Sequence, residues 1–192
     1  EVIIYSGVTL GNNIFKEKCS QIQLDLLNHP YIKQADVKRK LPNTMVINIV
    51  ERNEAAAVPI MNDFLIVDEE GMVLKFTSSN EALKIIRGLK FYNFMEGEVL
   101  EVEDKNRLSK ALEVLHGINM NHIFMKELDV SNKSDIRIII SDDLICKIGD
   151  GSNIDYKMKL LDKIEKDLEM KNITSGVIDI SHEGYPSYRY SE

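Results

Sequence analysis

The sequence predicts an α+β protein built as two modules, and three observations predict it. Apolar periodicities follow one another as helix, helix and two strands, then as a strand-rich stretch with two embedded helices and a closing strand. The regular βαβα alternation of a doubly wound sheet does not occur. Between the two stretches Ala55-Ala56-Ala57 runs into Pro59 and marks a boundary, so modules are expected at 1–57 and 58–192. With 192 residues, 44 % hydrophobic and 29 % charged, the chain can bury a core without metal or disulfide staples, and a disordered or collagen-like polymer is excluded.

The first module is expected as two helices on a small sheet. Val2, Ile3 and Val8 sit on a short opening helix that ends near Gly7 or Gly11. Cys19, Ile22, Leu26 and Leu27 recur at helical spacing from Lys16 to Asn28, and Pro30 forbids continuation. Ala35 to Leu41 and Thr44 to Glu51 are extended runs around Pro42-Asn43, an antiparallel hairpin with Met45, Ile47 and Ile49 on one side.

The second module is expected as antiparallel strands with two helices. A hairpin joins Phe64 to Val67 with Met72 to Phe76 through Asp68-Glu69-Glu70-Gly71, where the glycine supplies the positive φ of a tight turn. Asp104 caps a helix that carries Leu108, Ala111, Leu112 and Leu115 and ends at Gly117. Ile136, Ile138 and Ile140 share one strand face and Leu144, Cys146 and Ile148 another, linked by Ser141-Asp142-Asp143. Ile154, Met158, Leu161, Ile164 and Leu168 define the longest helix, with Lys157, Lys159, Lys163, Glu165, Lys166 and Asp167 on its outer face. Val177 to Ser181 is the last strand.

Net charge is −7, from 24 Lys+Arg against 31 Asp+Glu, so no general field attracts phosphate backbones and nucleic acid is not an expected partner. Lys33, Lys38, Arg39 and Lys40 form the one basic cluster, either a solvated strand face or a contact for an anionic surface such as lipid headgroups. Cys19 and Cys146 lie far apart among apolar neighbours and read as separate structural thiols. The histidines at 29, 116, 122 and 182 lack the spacing that puts two ligands on one helix face, so no metal or other cofactor is expected. Gly149-Asp150-Gly151 is followed by Ser152-Asn153-Ile154 rather than the lysine and hydroxyl of a phosphate loop. Asp68, Glu69 and Glu70 are neighbours in a turn, not carboxylates facing each other across a glycosidase cleft. Catalysis has no local support.

At the first hairpin the residues become more specific. Ala35-Asp36-Val37-Lys38-Arg39-Lys40-Leu41-Pro42-Asn43-Thr44, followed by Ile47, Ile49 and Glu51-Arg52 and preceded by Asn13-Ile14-Phe15, Leu27, Pro30 and Ile32, resembles the polypeptide-transport-associated (POTRA) module of the bacterial division proteins FtsQ and DivIB. The resemblance continues through Leu65-Ile66-Val67-Asp68-Glu69-Glu70-Gly71-Met72-Val73-Leu74, Gly88-Leu89, Gly97, Gly149, Lys159-Leu160 and Gly176-Val177-Ile178-Asp179-Ile180, and so spans nearly the whole chain. Arg39, Pro42, Thr44, Glu51, Arg52 and Gly71 are its signature positions. Glu54 and Lys84 stand where such proteins usually have proline, and the strand that opens a POTRA module has no counterpart in this chain.

The resemblance implies a single-pass cell-membrane protein whose anchor precedes this region, with the region itself outside the cytoplasm at the division septum. It implies no enzyme, but a scaffold of the division complex that binds the coiled-coil partners FtsL and FtsB (or DivIC) and helps control septal peptidoglycan synthesis. The alternative is a cell-envelope POTRA protein that chaperones or transports polypeptides, which would carry tandem POTRA modules or an outer-membrane barrel. The residues suggest how a partner is captured. As a terminal strand, Val177, Ile178, Asp179, Ile180 and Ser181 offer an unpaired edge to which a partner strand adds, and Tyr185, Tyr188 and Tyr190 supply aromatic surface beyond it.

Overall fold

Pro30 follows the first long helix, and there the chain reverses into its first hairpin. The computed structural model describes residues 2–79, 83–182 and 184–190. A single helical turn, α1 (Val2–Tyr5), precedes α2 (Cys19–Leu27). β1 (Ile32–Lys40) and β2 (Thr44–Glu51) then pair antiparallel, Val37 opposite Ile47, as a sheet of their own. The side of the hairpin carrying Ile32, Ala35 and Val37 takes Ile22 and Leu26 of α2, with Cys19, Met45, Ile47 and Ile49 around them. The opening helix is shorter than expected. Ile3 is exposed, and Val8 reaches the core from the loop after α1.

The rest of the chain builds one nine-stranded sheet. Its strands are β3 (Ala56–Ile60), β4 (Asp63–Val67), β5 (Val73–Thr77), β6 (Lys84–Arg87), β7 (Glu127–Asp129), β8 (Ile136–Ile139), β9 (Leu144–Gly149), β10 (Gly176–Asp179) and β11 (Ser187–Arg189). They lie in the order β11-β10-β9-β8-β7-β6-β3-β4-β5. The fold is α+β as expected, but the sheet is mixed: β3–β6, β6–β7 and β9–β10 are parallel. The helices explain two of these. Parallel neighbours need a long crossover, and α3 (Lys105–Met120) carries the chain from β6 to β7 while α4 (Ile154–Met170) carries it from β9 to β10.

Both crossover helices cover the same sheet face. Ala111, Val114, Leu115 and Ile118 of α3 and Met158 and Leu161 of α4 share one core with Leu65, Ile86, Leu128, Ile138, Cys146 and Ile178. Gly117 does not end α3, which runs on to Met120. It faces α4, and a Cβ built there would lie 2.7 Å from Met158 Cγ, so the residue read as a stop signal sets how closely the two helices approach.

The Ala-rich stretch is a strand rather than a linker. Ala56, Ala57 and Val58 are buried, and β3 sits inside the sheet between β6 and β4, so the division between 57 and 58 falls within a strand. Pro59 is tolerated because the pairing with β6 ends at Ala57, leaving no ladder bond on that side for the missing N–H to make.

Candidate partner-binding edge

Residues 176–190 end the large sheet. β10 pairs parallel with β9, Ile178 opposite Cys146, and the Ile180 N–H extends that ladder to the Lys147 carbonyl at 3.0 Å. Ile178 and Ile180 are core residues, fully or almost fully buried, with Val177, Asp179 and Ser181 half-exposed. The expected open edge along Val177 to Ser181 is not an edge: β11 folds back antiparallel onto β10, with Val177, Ile178 and Asp179 opposite Arg189, Tyr188 and Ser187. The outermost strand is β11. Among the described residues nothing pairs with its outer side.

Gly176 makes this closure possible. Its φ is +139°, and an added Cβ would stand 2.6 Å from both the Arg189 carbonyl oxygen and the Tyr188 ring. Tyr188 points to the helix side, packs on the core and donates its hydroxyl to the Ser175 carbonyl. Tyr190 stacks edge-on against Tyr188 with centroids 6.1 Å apart. Tyr185 and Tyr190 are 95 % and 68 % exposed, so of the three tyrosines two present aromatic surface and the third holds the strand.

The chain before β11 is tied down from below. Asp179 Oδ1 accepts from the Ser181 N–H at 3.0 Å and hydroxyl at 2.6 Å, and these bonds hold its carboxyl below the usual range. Lys157, expected on the outer face of α4, is 5 % exposed. Its ammonium donates to the Ile148 carbonyl at 2.8 Å and the Ser181 carbonyl at 3.4 Å, joining the ends of β9 and β10 to the helix. Glu165 is likewise half-buried rather than outward-facing, and its Oε1 has no partner. Burial of Cys146 pushes its thiol up, which suits a core side chain and not a nucleophile.

The signature positions are brought to other places and act as staples. Arg39 donates to the Ile14 carbonyl at 2.8 Å and to the Glu17 carbonyl, fastening the loop before α2 to the hairpin. Pro42 and Thr44 shape the exposed turn of that hairpin, and Glu51 closes β2 opposite Ile32. Gly71, at φ +79°, turns the chain under Leu112 of α3. Arg52 reaches into the second module, 2.5 Å from Asp68 and 2.6 Å from Glu70, while Lys33 pairs with Glu70 at 2.7 Å. Tyr31 donates to Glu54 at 2.6 Å, and Lys75 pairs with Glu54 at 2.8 Å. The cleft of about 380 Å³ at this junction is lined by these paired charges, so it reads as a seam and not as a ligand site.

Two family models match along the chain. Residues 1–52 match the family described as POTRA domain, FtsQ-type, and residues 56–181 match the C-terminal family of cell division protein FtsQ/DivIB. The chain is 30 % identical to cell division protein DivIB of Clostridium botulinum strain Hall over 188 residues, 95 % of this chain and 73 % of that protein. It is 28 % identical to DivIB of Clostridium tetani over 190 residues, 96 % of this chain and 71 % of that one. Over 61 residues, 32 % of this chain and 23 % of the relative, it is 41 % identical to cell division protein FtsQ of Rickettsia felis.

Proposed function

Since the chain belongs to the FtsQ/DivIB family of cell division proteins, we propose that it serves division as a non-enzymatic scaffold that captures a partner strand on the outer side of β11. The partners are the extracytoplasmic segments of FtsL- and FtsB/DivIC-type proteins, and the consequence is control of septal peptidoglycan synthesis. The region works outside the cytoplasm, held at the membrane by a segment other than those described, in which no helix is long and apolar enough to cross a bilayer. We assign Arg52 and the residues before it to the POTRA module, and β3 onward to the partner-binding one.

The observation that carries the reading is the open side of β11. An unpaired strand presents a row of N–H and C=O groups, and main-chain bonding gives affinity while neighbouring side chains give specificity. Tyr185 and Tyr190 stand exposed beside it, and rigid aromatic side chains are enriched where binding energy concentrates. Of the residues expected to bind, Val177 and Asp179 flank the site on the half-exposed face, whereas Ile178 and Ile180 support it from the core.

Amide hydrogen exchange across 176–190, with and without the partner segments, tests this. Protection of Ser187 to Tyr190 on binding, and weaker capture by the Tyr185→Ala, Tyr190→Ala double variant, is the expected result. Unchanged exchange at β11 alongside binding seen by calorimetry would place the interface elsewhere.

A further inference from the structure

We propose that the end of the first module remote from the large sheet is a contact surface for an anionic lipid bilayer. β1 begins at the junction, where Lys33 pairs with Glu70, and runs away from it, so the hairpin turn at 41–43 lies at the opposite end. The loop at 13–18 is held at that same end by Arg39, through the carbonyls of Ile14 and Glu17. Loop and turn each expose one large apolar side chain, Phe15 at 67 % and Leu41 at 68 %. Lys16 and Lys18 follow Phe15 on its loop and Lys38 and Lys40 precede Leu41 on β1, all exposed.

The carboxylates at this end are Glu17, which accepts from Asn12, and Asp36, which pairs with Lys38 at 2.6 Å. Five cations, counting Arg39, therefore face two anions in a chain whose net charge is −7. Single exposed apolar residues are ordinary. Two of them at the same end, each with lysines one and three residues away along the chain, form the arrangement that enters a membrane interface: the rings and branched chains pass the headgroups, while lysine stems lie along acyl chains and their ammonium groups stay with the phosphates. Headgroup charge selects this end over the rest of the acidic surface, and the attraction fades within a Debye length, so contact is weak, orienting and salt-sensitive. A bilayer contact at this end is independent of what binds β11.

The chain has no tryptophan, so Phe15→Trp and Leu41→Trp each create a single reporter at an exposed position, and Tyr156→Trp on the exposed side of α4 is the control. With vesicles of phosphatidylcholine and phosphatidylglycerol at low salt, the first two are expected to shift to the blue and to be quenched by brominated acyl chains, and the control to stay unchanged. Lys38→Gln with Lys40→Gln should lower the bound fraction about tenfold, and vesicles of phosphatidylcholine alone should not bind. No shift at either tip, or an equal shift in the control, overturns the proposal. So does sedimentation with vesicles without any shift at either tip, which would put the lipid contact on another face of the protein.

Discussion

The Arg52 guanidinium, on the residue that leaves β2, lies 2.5 Å from the Asp68 carboxylate in the turn between β4 and β5, with their side chains only 11 % and 6 % exposed. Removing one member of a buried pair strands the other, so Arg52→Ala should cost about 3 kcal/mol. Lysine should restore part of it, because Nη1 of Arg52 alone makes both contacts, to Asp68 and to Glu70, and an ammonium with three N–H donors can do the same. Urea denaturation followed by far-ultraviolet dichroism checks both, and a variant as stable as the parent would remove the clamp from the account.

Acid should loosen the same seam. Bonding from Lys33 first, and Arg52 second, holds the Glu70 carboxyl below its ordinary value of 4.5. A carboxylate whose pKa is lower folded than unfolded contributes stability above the unfolded value, and loses it as pH falls through the folded one. Glu70→Gln should therefore flatten the acid limb of a stability profile below about pH 4.5 and leave its slope near neutrality unchanged. An acid limb identical in the two proteins would count against the seam.

Glu165 should act in the opposite direction. Burial first, then the neighbouring Glu169 and Asp162, raise its carboxyl from 4.5 to about 7. The folded chain then holds a proton that the unfolded chain releases, so stability declines as pH rises from about 4.5 through 7. Glu165→Gln should raise Tm above neutrality and leave it unchanged in acid. A Tm difference that does not vary with pH would refute the mechanism.

Gly176→Ala should detach β11 without dissolving the core. The new methyl group meets the Arg189 carbonyl and the Tyr188 ring, and the positive φ adds strain. Exchange at Ser187 to Arg189 should accelerate while amides of β8 and β9 keep their protection. If the partner strand needs β11 as its template, capture falls in parallel.

Lys157→Met should cost about 2 kcal/mol, since the ammonium is lost but the Ile148 and Ser181 carbonyls stay where water reaches them poorly. Thermal unfolding measures it. A neutral result would show that those carbonyls find other donors.

Strong periodicity made much of this fold legible in advance. The hairpin of β1 and β2, the strands β4, β5, β8 and β9, and the stripe of α4 all follow from apolar spacing. β3 escaped because alanine and proline carry low strand propensity, and what makes Ala56 and Ala57 a strand is having a neighbour on each side. β11 escaped because a strand of three residues is too short to show a period, and its pairing depends on Gly176 and Ser175 well upstream. Lys157 was assigned to the surface by its charge, though it lies three residues from Ile154 and four from Leu161, on the buried stripe. The signature residues were found as a pattern, and their work as staples became visible only from the contacts of Arg39 and Arg52.

The strand order has a direction in time: β6 returns to the free side of β3, and each later strand is laid on the outside of the one before it, β7, β8, β9, β10 and then β11. From β6 onward the sheet grows in one direction, so the outer edge at β11 exists only once residues 187–189 have docked. Any strand added to β11 is therefore added to a sheet already complete from β5 to β11, and a chain cut before residue 187 presents β10 as its edge instead.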